Sequence, residues 1–384
     1  MISQERDSRL NLNEITNMCH LTISDSKESV AKKGSSLINR RKKPFTKSKV
    51  RLEDEQQQQV ELDANGTLVN GTAFKGQRRI YNVVCLLGSG GFGDVYLMSD
   101  AKGFSYAMKT ERVNETSKMR SRLKMEISVY QKVKEQKRTK PETVAHLLFM
   151  YDHGRTTDFR WFVMTFTGKS IEDKIKLGKI SFRTAVRLSI ETFEGITELH
   201  KLGFIHRDIK PANHVVGYEK KRCTVYLMDH GMASVFATDL KDVPEQSQYK
   251  FLGTMAYAPR ASHLGKPQCR RDDLESWLYM CLEFFKLTNL AWSEEADPTE
   301  CYKMKQQFFG NPRSFQMTRV PDCFFDFTAM LDKIGIIEEP DYEKFREPMR
   351  QLANGERLDF TEKFEWDGAD DKKTRPKLRV AKTA

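Results

Sequence analysis

RIYNVVCLLGS (79–89) and GDVYLMSD (93–100) are two β-rich, largely apolar runs on either side of a glycine-rich turn, and FSYAMKTE (104–111) follows with Tyr106 and Met108 alternating about the small Ala107. The three runs predict three antiparallel strands. The period then changes. In KMRSRLKMEISVYQKVKEQ (118–136), Leu123, Ile127, Tyr130 and Val133 fall on one helical stripe with charges elsewhere. HLLFMYDHG (146–154) and RWFVMTF (160–166) predict two more strands. Beyond about residue 170 the spacing is mainly helical, as in TAVRLSIETFEGITELHKLG and DDLESWLYMCLEFFKL. The pattern predicts an α+β chain with a small β-rich lobe followed by a larger helical one.

The ends lack either period. Residues 1–75 are polar and hold QQQQ (56–59) and the basic run RRKKPFTKSKVR (40–51), which predicts a disordered extension. Such a run suits a nuclear address or a docking patch, although charged runs of this kind are more often simply solvated. Residues 368–384 predict a second basic tail, leaving 78–367 as the folded region. No apolar run is long enough to span a membrane, and the N-terminus has no apolar leader, so a cytoplasmic or nuclear protein is expected. The seven cysteines are odd in number, scattered and without metal-ligand spacing, and read as buried thiols. A net charge of +11 favours partners of negative sign.

The candidate chemistry sits at defined points of this layout. GSGGFG supplies Gly88, Gly90, Gly91 and Gly93, whose backbone amides can close over phosphate oxygens. A strand on both sides of this turn disfavours a dinucleotide fold and favours a nucleoside triphosphate lid. Lys109 ends A-M-K on the third strand, where an ammonium can reach phosphates, and Glu126 on the following helix is its candidate partner. In FIHRDIKPANHVVG (204–217), Asp208 can orient a hydroxyl and take its proton, Lys210 can neutralise a moving phosphoryl charge, and Asn213 can hold a metal. YLMDHGMA (226–233) adds Asp229 as a second metal candidate, with His230 where an apolar residue is usual. That histidine fits either a working metal site with an unusual neighbour or a decayed one.

The ordered set of glycine-rich loop, A-x-K, helical Glu, H-R-D-x-K-x-x-N and D-x-G resembles the eukaryotic protein kinases. LGSGGFGDVYL, FVMTFTGKSIEDKI, FLGTMAYAPRASHLGKPQCRRDDLESW, PDYEKF and FEWD look like the casein kinase 1 family, including its tau-tubulin kinase branch, over about 78–367. The resemblance implies a bilobal kinase fold, with an N-lobe to about 167 and a C-lobe from about 168 to 367. It also implies ATP with Mg2+, and transfer of the γ-phosphoryl group to Ser or Thr of proteins. It would line the nucleotide with Leu87, Gly88, Ser89, Gly90, Gly91, Phe92, Gly93, Asp94, Val95, Ala107, Lys109 and Glu126. Met164 would be the gatekeeper, with Thr165 to Thr167 as the hinge. Thr254 would steady Asp208, and Asp273 would anchor the catalytic loop.

The family binds acidic or phosphorylated sequences through basic residues, and by position Arg270, Arg271, Lys303 and Lys305 are the candidates for that anion site. The chain departs from the family at Met255–Pro259, where Arg then Tyr-Ala-Ser is usual, and at His214 and His230, where apolar aromatics are usual. By motif position His230 should neighbour Tyr130 and His206. A monomeric Ser/Thr kinase is expected, with a non-catalytic scaffold as the alternative. Nucleic-acid binding would rest on the basic tails alone and is disfavoured.

Overall fold

In a computed structural model of the chain, residues 60–77, 79–90, 93–113, 121–178, 180–243, 251–285 and 290–367 are described. The expected extension through residue 59, the tail 368–384, and the candidates Gly91 and Phe92 lie outside them. The chain divides into two compact units: one runs to Thr116 and takes in Asp152–Val163, and the other comprises Ser117–Tyr151 and everything from Met164.

The smaller unit is built on a six-stranded sheet of order β1-β2-β3-β4-β6-β5. Its strands are β1 (Ala73–Lys75), β2 (Ile80–Gly90), β3 (Gly93–Asp100), β4 (Ser105–Arg112), β5 (Met150–Arg155) and β6 (Phe159–Thr165). Along β2, Tyr81, Val83 and Cys85 turn inward, as alternate residues of a strand do. Tyr81 meets Tyr106 edge to face at 5.2 Å, an arrangement favoured by the ring quadrupoles. One boundary differs from the sequence expectation. Residues 60–75 are not all extension: Leu62 bridges Leu68, β1 pairs with β2, and Phe74 is fully buried against Trp161 at 5.5 Å. Burial of these two apolar side chains offsets the entropy of ordering a polar segment.

The larger unit is mainly helical. It contains α1 (Arg122–Thr139), α2 (Ile171–Lys176), α3 (Phe182–Lys201), α4 (Arg260–His263), α5 (Arg270–Phe285), α6 (Pro298–Gly310), α7 (Asp322–Asp332) and α8 (Tyr342–Gly355). Short strands β7 (Phe204–Ile205), β8 (His214–Val216), β9 (Val225–Leu227) and β10 (Ser234–Val235) carry the loops between α3 and α4.

Ser181 caps α3 by accepting from the Thr184 amide, and Gly203 ends it at φ 91°, a left-handed conformation that favours glycine. Between those caps α3 is buried on nearly every side, with Phe193 against Trp277 of α5 at 5.0 Å and Trp277 against Phe324 of α7 at 5.9 Å. The buried Arg187 of α3 pairs with Glu191 at 2.8 Å, lies 3.9 Å over the Phe364 ring and donates to the Phe360 and Glu362 carbonyls. That cluster fastens the segment around FEWD to the helix.

Cys223, Cys269, Cys281, Cys301 and Cys323 are free thiols, as expected, with Cys269, Cys281 and Cys301 buried. Among the described residues, no helix is long and apolar enough to cross a membrane.

Candidate active site

In the smaller unit, β2 and β3 form a hairpin whose register pairs Gly88 with Val95, Ser89 with Asp94 and Gly90 with Gly93. The glycines serve different ends. A Cβ on Gly93, at φ 125°, would lie 1.7 Å from the Thr110 carbonyl oxygen, so only glycine fits. A Cβ on Gly88 or Gly90 would meet no protein atom within 4 Å, so their bare backbone leaves space for a ligand. The Ser89 hydroxyl donates to Asp94 at 2.6 Å and ties the two arms together. Leu87 is half-buried in the same strand. Across β3 and β4, Val95 pairs with Lys109 and Leu97 with Ala107. Opposed residues share a face, as do alternate ones along a strand, so Val95, Ala107 and Lys109 line one face.

In the larger unit, the Asp208 carboxylate is held from three directions. Lys210 Nζ lies 2.9 Å from its Oδ2, the Thr254 hydroxyl donates to Oδ1 at 3.2 Å, and Asn213 Nδ2 donates to Oδ2 at 3.1 Å. Lys210 also donates to the Thr254 hydroxyl at 2.9 Å, and Asn213 Nδ2 donates to the Asp208 carbonyl at 2.8 Å. A carboxylate fixed in this way can orient a hydroxyl and accept its proton, with an ammonium alongside to meet developing negative charge. Gly253 permits the approach of Thr254: it adopts φ 103°, and a Cβ there would crowd the Arg207 carbonyl oxygen at 3.3 Å.

The loop itself hangs from Asp273 of α5, whose carboxylate accepts the His206 amide at 2.7 Å and the Arg207 amide at 2.8 Å, and contacts His200 Nε2 at 3.0 Å. Burial pushes the Asp273 carboxyl up, but its bonds and charge interactions with His200 and His206 outweigh that effect and hold it below the ordinary range.

The register of β8 with β9 pairs His214 with Leu227, and the Met228 amide donates to the Asn213 carbonyl at 2.9 Å. Asn213 and Asp229 therefore flank the same end of one hairpin. Because Asn213 Nδ2 faces Asp208, its amide oxygen is turned the other way. Asp229 adopts φ 60°, a left-handed conformation uncommon outside glycine, asparagine and aspartate. An amide oxygen and a carboxylate are hard donors that suit a hard divalent cation, with remaining positions left to phosphate and water. Among the described residues no group of three or more His, Cys, Asp and Glu is placed to hold a metal ion.

Glu126 is buried on the inward stripe of α1, with Leu123, Val129, Tyr130 and Val133; Ile127, expected on that stripe, is only half-buried. The helix packs on the His230–Met232 turn. A Cβ on Gly231 would lie 3.1 Å from Glu126 Oε1 and 3.4 Å from Asp229 Oδ1, so both carboxylates approach the same glycine.

His230 has the neighbours its motif position suggested. Its ring lies edge to face with Tyr130 at 5.1 Å and with His206 at 5.3 Å, and it is fully buried. His206 in turn contacts the Met228 carbonyl through Nε2 at 2.9 Å. A carbonyl only accepts, so Nε2 carries the proton. His214 is an interior histidine: its Nδ1 contacts the Lys210 carbonyl at 3.0 Å, and burial brings its pKa down to about 3, so it is neutral. Met164 is buried, with its sulfur 3.9 Å from the Tyr130 hydroxyl, and the Thr165 hydroxyl bonds the Phe149 backbone. Thr167 is half-buried.

Arg207, absent from the sequence candidates, ties the two loops: at φ 69° it donates from Nε to the Met232 carbonyl at 2.7 Å. Its place inside H-R-D was the available signal.

The four cations expected to form an anion site each have protein partners of their own. Arg270 stacks on Phe236 at 4.2 Å and donates to the Ile337 carbonyl, while Arg271 donates to the Ile334 carbonyl and pairs with Asp272 at 3.6 Å. Lys303 is exposed and pairs with Glu300 at 2.7 Å, whereas Lys305 is fully buried and donates to the Met255 and Ala258 carbonyls. Carbonyls left open in loops draw cationic donors inward, and sequence position does not separate such a cation from a surface one.

Residues 81–333 match the protein kinase domain family. The chain is 32% identical over 265 residues to "Putative serine/threonine-protein kinase ZK507.1" of Caenorhabditis elegans, covering 68% of this chain and 78% of that protein. It is 30% identical over 287 residues to "Serine/threonine-protein kinase spe-6" of the same organism, covering 72% and 73%. From the glycine hairpin, the ordered catalytic motifs and these matches, the chain belongs to the protein kinase family, with the bilobal α+β fold, as an enzyme that uses ATP and a divalent metal to phosphorylate Ser or Thr of proteins.

Proposed function

We propose that the chain is a casein kinase 1-type Ser/Thr kinase that uses Mg2+ with ATP and prefers acidic or already phosphorylated segments. The observation that carries the catalytic part is the Asp208 carboxylate held by Lys210, Thr254 and Asn213. In this reading Asp208 orients the acceptor hydroxyl and takes its proton, while Lys210 faces the charge developing on the transferred group. Asn213 and Asp229 would hold the metal, which when bound neutralises phosphate charge. The glycine hairpin, Asp94, Val95, Ala107, Lys109 and Glu126 serve the nucleotide, with Met164, Thr165 and Thr167 beside the base. Family motifs such as LGSGGFGDVYL and RRDDLESW support the branch assignment.

The substrate preference draws on the net charge of +11, acting as a long-range field rather than through a four-cation site. A peptide array should show acidic and phosphoserine-primed peptides phosphorylated faster than basic ones, with the difference shrinking as salt rises. An array with no acidic or phosphate preference contradicts that part of the reading. The enzyme would act as a monomer in the cytoplasm or nucleus, with the basic run 40–51 as a candidate nuclear address.

His230→Phe tests the D-H-G variation. The site already presents the edges of Tyr130 and His206 to a ring, so a phenyl group is expected to fit. Turnover should stay within about threefold of wild type or rise, since a conservative ring exchange costs about 1 kcal/mol or less. Loss of catalysis in a folded His230→Phe protein would assign the imidazole a specific chemical role.

A further inference from the structure

Lys305, on α6, has lost the surface role its sequence position suggested and has taken another. Its ammonium donates to the Met255 carbonyl at 2.7 Å and the Ala258 carbonyl at 2.7 Å, and meets His263 Nε2 at 3.2 Å. His263 Nδ1 lies 3.0 Å from the Pro298 carbonyl. Nδ1 therefore carries the proton and Nε2 offers a lone pair. Burial, then the nearby Lys305 charge, brings His263 down to about 4, which keeps the ring neutral and able to accept. An ammonium has three hydrogens, and the two carbonyls and His263 Nε2 can receive them, with the Cys301 sulfur as a further, weaker partner. The Tyr279 ring lies 4.9 Å from the same nitrogen and contributes a cation–π contact.

The backbone held in this way starts one residue beyond Thr254, whose hydroxyl touches both Asp208 and Lys210. The amides of Tyr257 and Ala258 both donate to the Thr254 carbonyl, and Trp292 Nε1 donates to the Ala256 carbonyl at 2.9 Å. The carbonyls of Met255, Ala256 and Ala258 are thus all fixed by side chains or turns of the larger unit. This is also the stretch where the chain departs from the resembled family. Met255 directly follows Thr254, whose hydroxyl bonds Asp208, so residues flanking an acceptor hydroxyl at Asp208 lie within a few residues' reach of this segment, adjacent Cα atoms being about 3.8 Å apart.

We propose that Lys305 is a positioning residue for the protein substrate, fixing the Met255–Ala258 backbone beside Asp208 so that an acceptor side chain can meet that carboxylate. It is not an anion receptor, because none of its hydrogens is left for a phosphate. The claim uses the kinase activity and the Asp208 geometry and is independent of the acidic preference.

The test compares full-length wild type with Lys305→Met, which keeps the length of the side chain and removes the donors, using initial rates against a Ser peptide and against ATP. The peptide kcat/KM should fall about tenfold while the KM for ATP stays within about twofold. Lys305→Arg, which keeps charge and donors, should recover part of the loss. His263→Phe removes one acceptor without altering Lys305, and decides the matter if Lys305→Met does not fold. It should shift the peptide kcat/KM in the same direction and speed hydrogen exchange at the Tyr257 and Ala258 amides, with exchange in α3 unchanged. Unchanged peptide kinetics in the folded variants, or a loss shared equally by ATP, would overturn the proposal.

Discussion

Asp208→Asn is expected to lower kcat by about 10²–10⁴-fold while leaving nucleotide-dependent thermal stabilisation nearly intact. The substitution keeps the shape of the side chain and can still bond Lys210, Thr254 or Asn213, all of which now surround Asp208. What it removes is the negative charge that draws the acceptor proton and holds the hydroxyl in line. An amide in that position has no comparable affinity for a proton. The rate should therefore fall with little change in the KM for ATP, the signature of an interaction made in the transition state rather than on binding. A folded Asp208→Asn protein with near wild-type kcat would remove Asp208 from the reaction.

Asp273→Ala should be more damaging to the fold than any surface change, with a loss of about 3–5 kcal/mol in denaturant unfolding and a matching collapse of activity. The carboxylate is buried and accepts two consecutive backbone amides besides contacting His200. Truncation leaves those donors stranded in the interior, and the loop bearing Asp208 loses the anchor that fixes its direction. The pH dependence has a definite sign. The folded-state pKa of Asp273 is depressed, so its contribution is fully present above the unfolded value near 3.9 and is lost only as pH falls through the lower folded value. Wild type should thus keep this part of its stability down to about pH 4 and lose it in stronger acid. A variant unfolding within about 0.5 kcal/mol of wild type would show that the amides find other partners.

Much of this site was legible in sequence because its chemistry is local. The kinase resemblance named Val95 and Ala107 and the A-M-K motif named Lys109, and the register of β3 with β4 puts the three on one face. The spacing in H-R-D-x-K-x-x-N, two residues from Asp208 to Lys210 and five to Asn213, lets both turn back on Asp208. Even the neighbours of His230 followed from its place in D-H-G.

What escaped were properties set by distant partners. Phe74 belongs to the core only because Trp161 offers it a ring, and nothing near Phe74 in the chain announces that. Lys305 reads as a surface cation until the carbonyls of Met255 and Ala258, some fifty residues earlier, are seen at its nitrogen. The partners of Arg270, Arg271 and Lys303 were hidden for the same reason: a cation's sign is written in the sequence, but the acceptor that holds it is a tertiary fact.

The most direct test is a phosphosite measurement on the purified full-length chain, incubated with ATP, Mg2+ and a library of Ser- and Thr-containing peptides. Phosphoserine or phosphothreonine should form, vanish on chelation of the metal, and be absent with Asp208→Asn. A protein that is stabilised by nucleotide yet yields no phosphopeptide with any divalent metal would contradict the account and leave a fold without its reaction.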